Sequence, residues 1–186
     1  MKKLLTAFTL LAFALVANAE VKVVTVDMAK LFDGYGRAKA AENVIQSEIQ
    51  KLTAETQRRQ AEGRALVQQL DELGQRYNNP ALAQSARDAA KKEAREMEDK
   101  IEAKKNEFER FQSQSRQALM QKEQTQRETI YNEIQRATVA VARKQGATLV
   151  LNTSEKTTAG LPTVVYSEKS WDITGAVLTT LNVGTK

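Results

Sequence analysis

The predicted fold depends on one interruption, Gly74-Gln75-Arg76-Tyr77-Asn78-Asn79-Pro80, in a chain whose pattern is otherwise helical from about residue 38 to residue 145. Glycine and asparagine favour turns, and proline is well placed to open the helix that follows. The sequence therefore predicts two long helices folded back as an antiparallel hairpin, over 38–77 and from Pro80 to about 145, with a turn near 74–82. An alternative places the turn near Asp88, the midpoint between the flanking strand candidates.

The first helix carries a row of residues, three and four apart, that is apolar at both ends and polar in its middle. The middle of the row is Thr56, Arg59 and Gly63. A tight coiled coil requires apolar residues at such seam positions. We therefore expect the hairpin to be loosely packed there and able to bend.

Short β-branched segments flank the hairpin and predict strands at 21–26, 148–152 and 163–167. Ser170 or Asp172 is a candidate cap for a closing helix. The hairpin returns the chain to its start, so the strands should meet in a small sheet. Such a sheet has open edges, which pairing between subunits would close.

The fold class is therefore α+β, mostly α: a long antiparallel helical hairpin, or coiled-coil arm (38–145), on a small β-rich oligomerisation base (20–37 and 146–186). The residues expected to build that base are Val21, Val23, Val24, Val26, Leu149, Leu151, Val164, Val165, Trp171 and Ile173.

The N-terminus has the three parts of a secretory signal. Met1-Lys2-Lys3 is basic, an apolar run follows to Val16, and Ala17-Asn18-Ala19 presents small residues to a peptidase. The apolar run is shorter than the roughly 20 residues of a membrane span. We expect cleavage between Ala19 and Glu20, which places the mature chain in a bacterial periplasm.

Composition excludes several classes of site. The chain has no Cys and no His, so disulfides and thiolate or imidazole metal sites are absent. It also has no glycine-rich phosphate loop. We therefore predict no enzymatic activity, no metal, no cofactor and no nucleic-acid partner. The net charge of +5 falls to +3 without Lys2 and Lys3, which favours at most weak contact with an anionic membrane surface.

Apolar residues on the two helices have two interpretations. They can hold the helices together, or some can touch unfolded client chains weakly, as a chaperone without nucleotide requires. The candidates are Leu66, Leu70, Leu73, Met97, Ile101, Phe108, Phe111 and Leu119.

Several segments, in order along the chain, resemble the OmpH/Skp family of periplasmic chaperones. They are Val23–Phe32 with Tyr35 and Ala38-Lys39, then Asn79–Leu82, Gly146–Leu151, and Trp171–Thr174 with Val177-Leu178. The resemblance implies a homotrimer with a β-rich body and three helical tentacles. It also implies ATP-independent binding of unfolded outer-membrane proteins in transit.

The resemblance does not imply that this chain binds lipopolysaccharide. Family members with strongly basic tips attract anionic lipid, whereas 87–110 here has eight basic and eight acidic residues. Two other hypotheses stay open: a periplasmic coiled-coil scaffold with one fixed partner, and a basic membrane-surface binder. Many unfolded partners would favour the chaperone, one folded partner the scaffold, and salt-sensitive lipid affinity the membrane binder.

Overall fold

The computed structural model describes residues 21–183, which fall into two compact units. The base unit comprises residues 21–33 and 133–183, and the arm unit comprises residues 34–132. The predicted signal sequence and its cleavage point, Ala19 and Glu20, lie outside the described residues. No helix within residues 21–183 is both long enough and apolar enough to cross a membrane.

The arm unit is an antiparallel helical hairpin. It contains α2 (Gly36–Tyr77) and the first part of α3 (Gln84–Lys144), whose end belongs to the base unit. Lys122 Nζ lies 3.4 Å from Glu48, and the Arg59 guanidinium lies over Phe111. Between these two contacts the chain advances eleven residues along α2 (48 to 59) and goes back eleven residues along α3 (122 to 111), as two antiparallel helices require. The predicted hairpin is confirmed.

The turn occupies residues 78–83. Gly74 did not end the helix, because the Asn78 N–H still donates to the Gly74 carbonyl. The prediction that Pro80 opens α3 was wrong. The Asn79 side chain accepts the Ala81 N–H at 3.0 Å, forming a local turn that holds Pro80 outside the helix. The alternative turn near Asp88 was also wrong, since α3 already contains that residue.

The base unit is organised by one pair of parallel strands. β1 (Val23–Val26) pairs with β2 (Leu149–Asn152) in the register Val23↔Leu149 to Val26↔Asn152. On the other side of β1, the Ile173 N–H donates to the Thr25 carbonyl at 2.9 Å. Parallel strands need a crossover connection. Here the crossover is the chain of the whole helical hairpin.

The predicted third strand at 163–167 was wrong. Within residues 21–183 the sheet has two strands; next to the segment there is an isolated bridge between Lys156 and Pro162, and the Thr163 N–H donates to the Glu155 carbonyl. Val165 and Tyr166 are 91% and 76% exposed. Their β-branched and aromatic character favours a strand only where a neighbouring strand and a buried face are available. This segment has neither within the described residues 21–183.

The helix α1 (Met28–Gly34) is capped by side chains from three parts of the sequence. Asp27 Oδ1 accepts the Lys30 N–H at 3.0 Å, so Asp27 is the N-cap of this helix. The N–H groups of Asp27, Met28 and Ala29 donate to Thr174 Oγ1, Asn152 Oδ1 and Ser154 Oγ. These bonds satisfy the free donors of a helix start while joining both chain ends.

The ends of α3 and α4 also follow capping chemistry. Gly146 has φ of 73°, and the Ala147 N–H donates to the Ala142 carbonyl, the arrangement of a Schellman cap. The closing helix α4 (Thr174–Asn182) has Ile173 at its N-cap position, and the Asp172 side chain just before it accepts the Thr174 N–H at 2.8 Å. Neither predicted candidate, Ser170 or Asp172, occupies the N-cap position, although Asp172 supplies an acceptor at the helix start.

The base core contains Leu31, Ile134 and Val177, each fully buried. We predict that Ile134→Ala lowers the free energy of unfolding by about 2–5 kcal/mol, because it removes buried apolar contacts and leaves a cavity. Urea denaturation followed by circular dichroism, at one fixed protein concentration, measures this. Gln135→Ala, an exposed neighbour on the same helix, is the control and should change little. Equal losses in both variants would contradict this core.

Candidate functional site

The arm unit holds all eight residues that the sequence singled out as contact candidates. Leu73 is buried, and the other seven are half-buried: Leu66, Leu70, Met97, Ile101, Phe108, Phe111 and Leu119. Half-burial means that these side chains both pack within the hairpin and present part of their surface to solvent. Packing and contact with another molecule are therefore compatible at the same positions.

A cavity of about 480 Å³ lies in the middle of the arm unit, between α2 and α3. Its lining brings together three of the eight candidates, Leu66, Ile101 and Phe108, with Gly63 and Val67. Pockets of this size in proteins hold small apolar groups, and a cavity of roughly 150 Å³ is enough for a benzene ring. The other five candidates do not line it.

The cavity exists because the seam has no side chain at Gly63. A Cβ built on that residue would meet nothing within 4 Å. Nearby, Thr56 turns its hydroxyl to the Leu52 carbonyl at 2.8 Å and so contributes no large apolar group. The predicted loose packing is confirmed at Gly63, which lines the cavity with Arg59; Thr56 does not line it. Bending of the arm at this point stays a prediction.

A charged cluster lies beside the cavity on α2. Glu55 accepts hydrogen bonds from Arg58 and Arg59 at 2.7 Å, and Arg58 also pairs with Glu62. The hydrogen bonds from Arg58 and then Arg59 lower the pKa of Glu55 to about 2. Arg59 in turn lies 4.4 Å from the centre of the Phe111 ring, so its charge is held against an aromatic face.

Lining residues on α3 add a second ion pair. Lys104 Nζ lies 2.7 Å from Glu107, and this hydrogen bond lowers the pKa of the Glu107 carboxyl. Four of the lining residues are basic and two are acidic: Arg59, Arg64, Lys104, Lys105, Glu62 and Glu107. The cavity thus has apolar walls and a rim with an excess of positive charge.

Arg64, Val67 and Lys105 line the cavity but were not among the residues predicted from the sequence. Val67 lies four positions after Gly63, on the same side of an α-helix, and this spacing was a usable signal. The residues on α3 could not be found in this way. Which α3 residues face Gly63 depends on the register of the hairpin, and the sequence left the turn between two positions.

The base unit exposes large apolar side chains. On β2, Leu149 and Leu151 point to the exposed face and are 45% and 37% exposed. Val165, Tyr166, Leu161 and Trp171 are also exposed in this unit. Of the ten predicted base residues, only Val24, Val26 and Ile173 are buried, so packing within one chain does not account for the rest.

Both surfaces present side chains that can make non-covalent contacts. Among residues 21–183, no group of acidic side chains is arranged to hold a metal ion. The arm cavity offers apolar contact, an aromatic wall and fixed charges. The base offers apolar area and an open strand edge.

Three comparisons with known proteins bear on the chain. Residues 22–181 match the family described as "Outer membrane protein (OmpH-like)". A crystal structure of a candidate outer membrane chaperone (OmpH-like) from Caulobacter crescentus CB15 has the same fold, with a TM-score of 0.68. Its sequence identity is 19%, over 87% of this chain and 83% of that chain. A search of curated proteins found no significant match.

The Glu55 cluster gives a prediction for pH. The carboxyl has a folded pKa of about 2 and an unfolded value of roughly 4.3. Its contribution to stability is therefore complete above the unfolded pKa and is lost as the pH falls towards 2. We expect the ¹³C carboxyl resonance of Glu55 to titrate with a midpoint near 2. Replacing both Arg58 and Arg59 by Gln should raise that midpoint, whereas Glu62→Gln should leave it low. An ordinary midpoint in the unmodified protein would contradict the cluster.

Proposed function

Because the chain belongs to the OmpH-like family of outer membrane proteins, we propose that it is an ATP-independent chaperone of the periplasm. Its clients are unfolded outer-membrane proteins, which it keeps from aggregating in transit. The proposed activity is binding alone, with no catalytic step and no cofactor. The chaperone description of the Caulobacter crescentus protein is consistent with this proposal.

The observation that carries the proposal is the half-buried apolar seam of the arm, which opens at a cavity. Apolar side chains along α2 and α3 are neither sealed in a core nor grouped into one large exposed patch. They lie between charged faces whose ion pairs are local, such as Arg58 with Glu55 and Lys104 with Glu107. Such a surface suits weak contact with many apolar sequences while keeping the chaperone soluble.

The location rests on the predicted signal sequence. A periplasmic chaperone meets outer-membrane proteins after export, where ATP is not supplied. Binding that requires no nucleotide acts by mass action: a protein that holds the unfolded state withdraws it from aggregation. The client leaves when insertion into the membrane is more favourable than the weak contacts.

Self-association to a homotrimer is the second part of the proposal, and the base unit supports it. β2 has a strand edge with no partner in residues 21–183, and exposed strand edges tend to pair with another chain. Leu149, Leu151, Val165 and Tyr166 supply apolar area that packing between copies would remove from water. The number three comes from the family resemblance.

Contact with anionic membrane surfaces is a minor part of the proposal. The mature chain is mildly basic, and the segment 87–110 is charge-balanced. Any attraction to lipid headgroups should therefore be weak and should fall steeply with salt, since exposed charges are screened over about 10 Å at 0.1 M.

The chaperone function predicts suppression of aggregation. The chain without residues 1–19, added in molar excess, should reduce light scattering when an outer-membrane β-barrel is diluted from urea, equally with and without ATP. Unchanged scattering would rule out the proposal. Affinity capture from the periplasm should then recover several unfolded β-barrel precursors; one stoichiometric folded partner would favour the scaffold hypothesis.

The oligomeric state gives a separate prediction. Sedimentation equilibrium should give three times the chain mass for the mature protein. Leu149→Lys combined with Leu151→Lys should lower that mass, because two charged side chains would replace apolar ones in the contact between copies. The control is Val44→Lys, an exposed apolar position in the arm unit, which should leave the mass unchanged. A monomeric unmodified protein would contradict the trimer.

A further inference from the structure

Two cations beside the arm cavity have no partner among residues 21–183. Both lining anions are already paired, Glu62 with Arg58 and Glu107 with Lys104. In contrast, the exposed side chains of Arg64 and Lys105 make no hydrogen bond or ion pair within residues 21–183. Arg64 lies on α2 and Lys105 on α3, so each helix contributes one of these charges. The cavity rim therefore complements a negatively charged group.

We propose that the arm cavity binds one aromatic side chain of an unfolded polypeptide, next to an aspartate or glutamate that pairs with Arg64 and Lys105. The inference rests on the proposed chaperone function, because clients would supply such a segment. It adds a preferred sequence feature, an aromatic residue beside an acidic one, to contacts that are otherwise non-specific.

The cavity suits an aromatic ring. Its volume of about 480 Å³ is roughly three times that of a cavity that holds benzene. Its walls include Leu66, Ile101 and the Phe108 ring, and aromatic rings pack favourably against one another. A Cβ built at Gly63 would have no neighbouring atom within 4 Å, so the space beside this residue is open.

A polypeptide side chain suits the cavity better than a lipid chain. The α2 wall runs from Arg59 to Val67, about 12 Å at the rise of an α-helix. An acyl chain spans half of a hydrocarbon core of roughly 30 Å, so part of it would stay in water. A single aromatic side chain ends inside the cavity, and its backbone places an acidic neighbour at the rim.

Methyl NMR of the mature protein tests this inference. The probe is a soluble Gly/Ser peptide with a central Trp-Asp pair. We expect it to shift the methyl resonances of Leu66, Val67 and Ile101, and to leave those of Ile45 and Ile130, elsewhere in the arm unit, in place. A peptide with Ala for Trp should bind about tenfold more weakly, and one with Lys for Asp about fivefold more weakly.

Two variants at one position provide the matched control. Gly63→Leu fills the cavity and should abolish the peptide shifts. Gly63→Ala gains similar helix propensity, but its Cβ meets nothing within 4 Å and so leaves the space open. It should keep the shifts. Equal binding by both variants, or shifts spread evenly along the arm, would overturn the inference.

Two further outcomes separate this inference from the chaperone function. Suppression of aggregation without peptide shifts at the cavity overturns the cavity inference and leaves the chaperone function. Peptide shifts without suppression support the cavity and overturn the function. Dodecanoate, tested as a lipid-like competitor, should displace the Trp-Asp peptide poorly; dodecanoate binding at these methyls while the peptide does not bind would overturn the inference.

Discussion

The pairing of β1 with β2 is the constraint on which the rest of the structure depends. It joins Val23 to Leu149, residues separated by the full length of both long helices. A parallel pair cannot be closed by a tight turn, so the intervening chain must travel out and return. A helical hairpin does this with its backbone hydrogen bonds satisfied internally. The short strands are thus the reason that α2 and α3 are folded back.

Hydrogen bonds from polar side chains at the start of α1, directly after β1, strengthen that pairing. The start of α1 has backbone donors that no helical carbonyl can accept. Thr174, Asn152 and Ser154 supply acceptors from the far end of the sequence, and Asp27 supplies one locally. Because these acceptors come from after both helices, α1 is correctly capped only when the two chain ends have met. Local helix formation and long-range closure are therefore coupled in the base unit.

The arm is organised on a different principle. Its helices carry many charges in local ion pairs, which solvate the faces but contribute little to stability. Cohesion depends on a thin seam with small residues such as Ala90 and Ala94 at one end and Gly63 in the middle. A seam of this kind holds two helices together without sealing every apolar group. The proposed client binding uses this incomplete burial, and the Gly63 cavity is its most localised form.

The sequence predicted the elements well wherever the signal was local. Helical periodicity and the turn-forming cluster before Pro80 were both recognisable, since each depends on neighbours within a few residues. One error arose where a distant partner decides the outcome: the segment 163–167 has strand-forming residues but no strand beside it within residues 21–183. The other error was local, because Pro80 follows an asparagine whose side chain accepts the Ala81 N–H and forms its own turn. Within the candidate site, Gly63, Leu66, Ile101 and Phe108 were singled out from the sequence, but their meeting at one cavity was not predicted.

By itself, then, the sequence determined the two long helices, the strand at each end of them and the weak point in the seam at Gly63. Only the tertiary structure decided the register of α2 against α3, and with it which side chains surround that weak point. The physical reason is that helix patterns repeat every few residues, so several registers bury similar apolar rows. The hairpin register brings Lys104, Lys105 and Phe108 to the cavity from α3. Residues more than thirty positions apart therefore form one site.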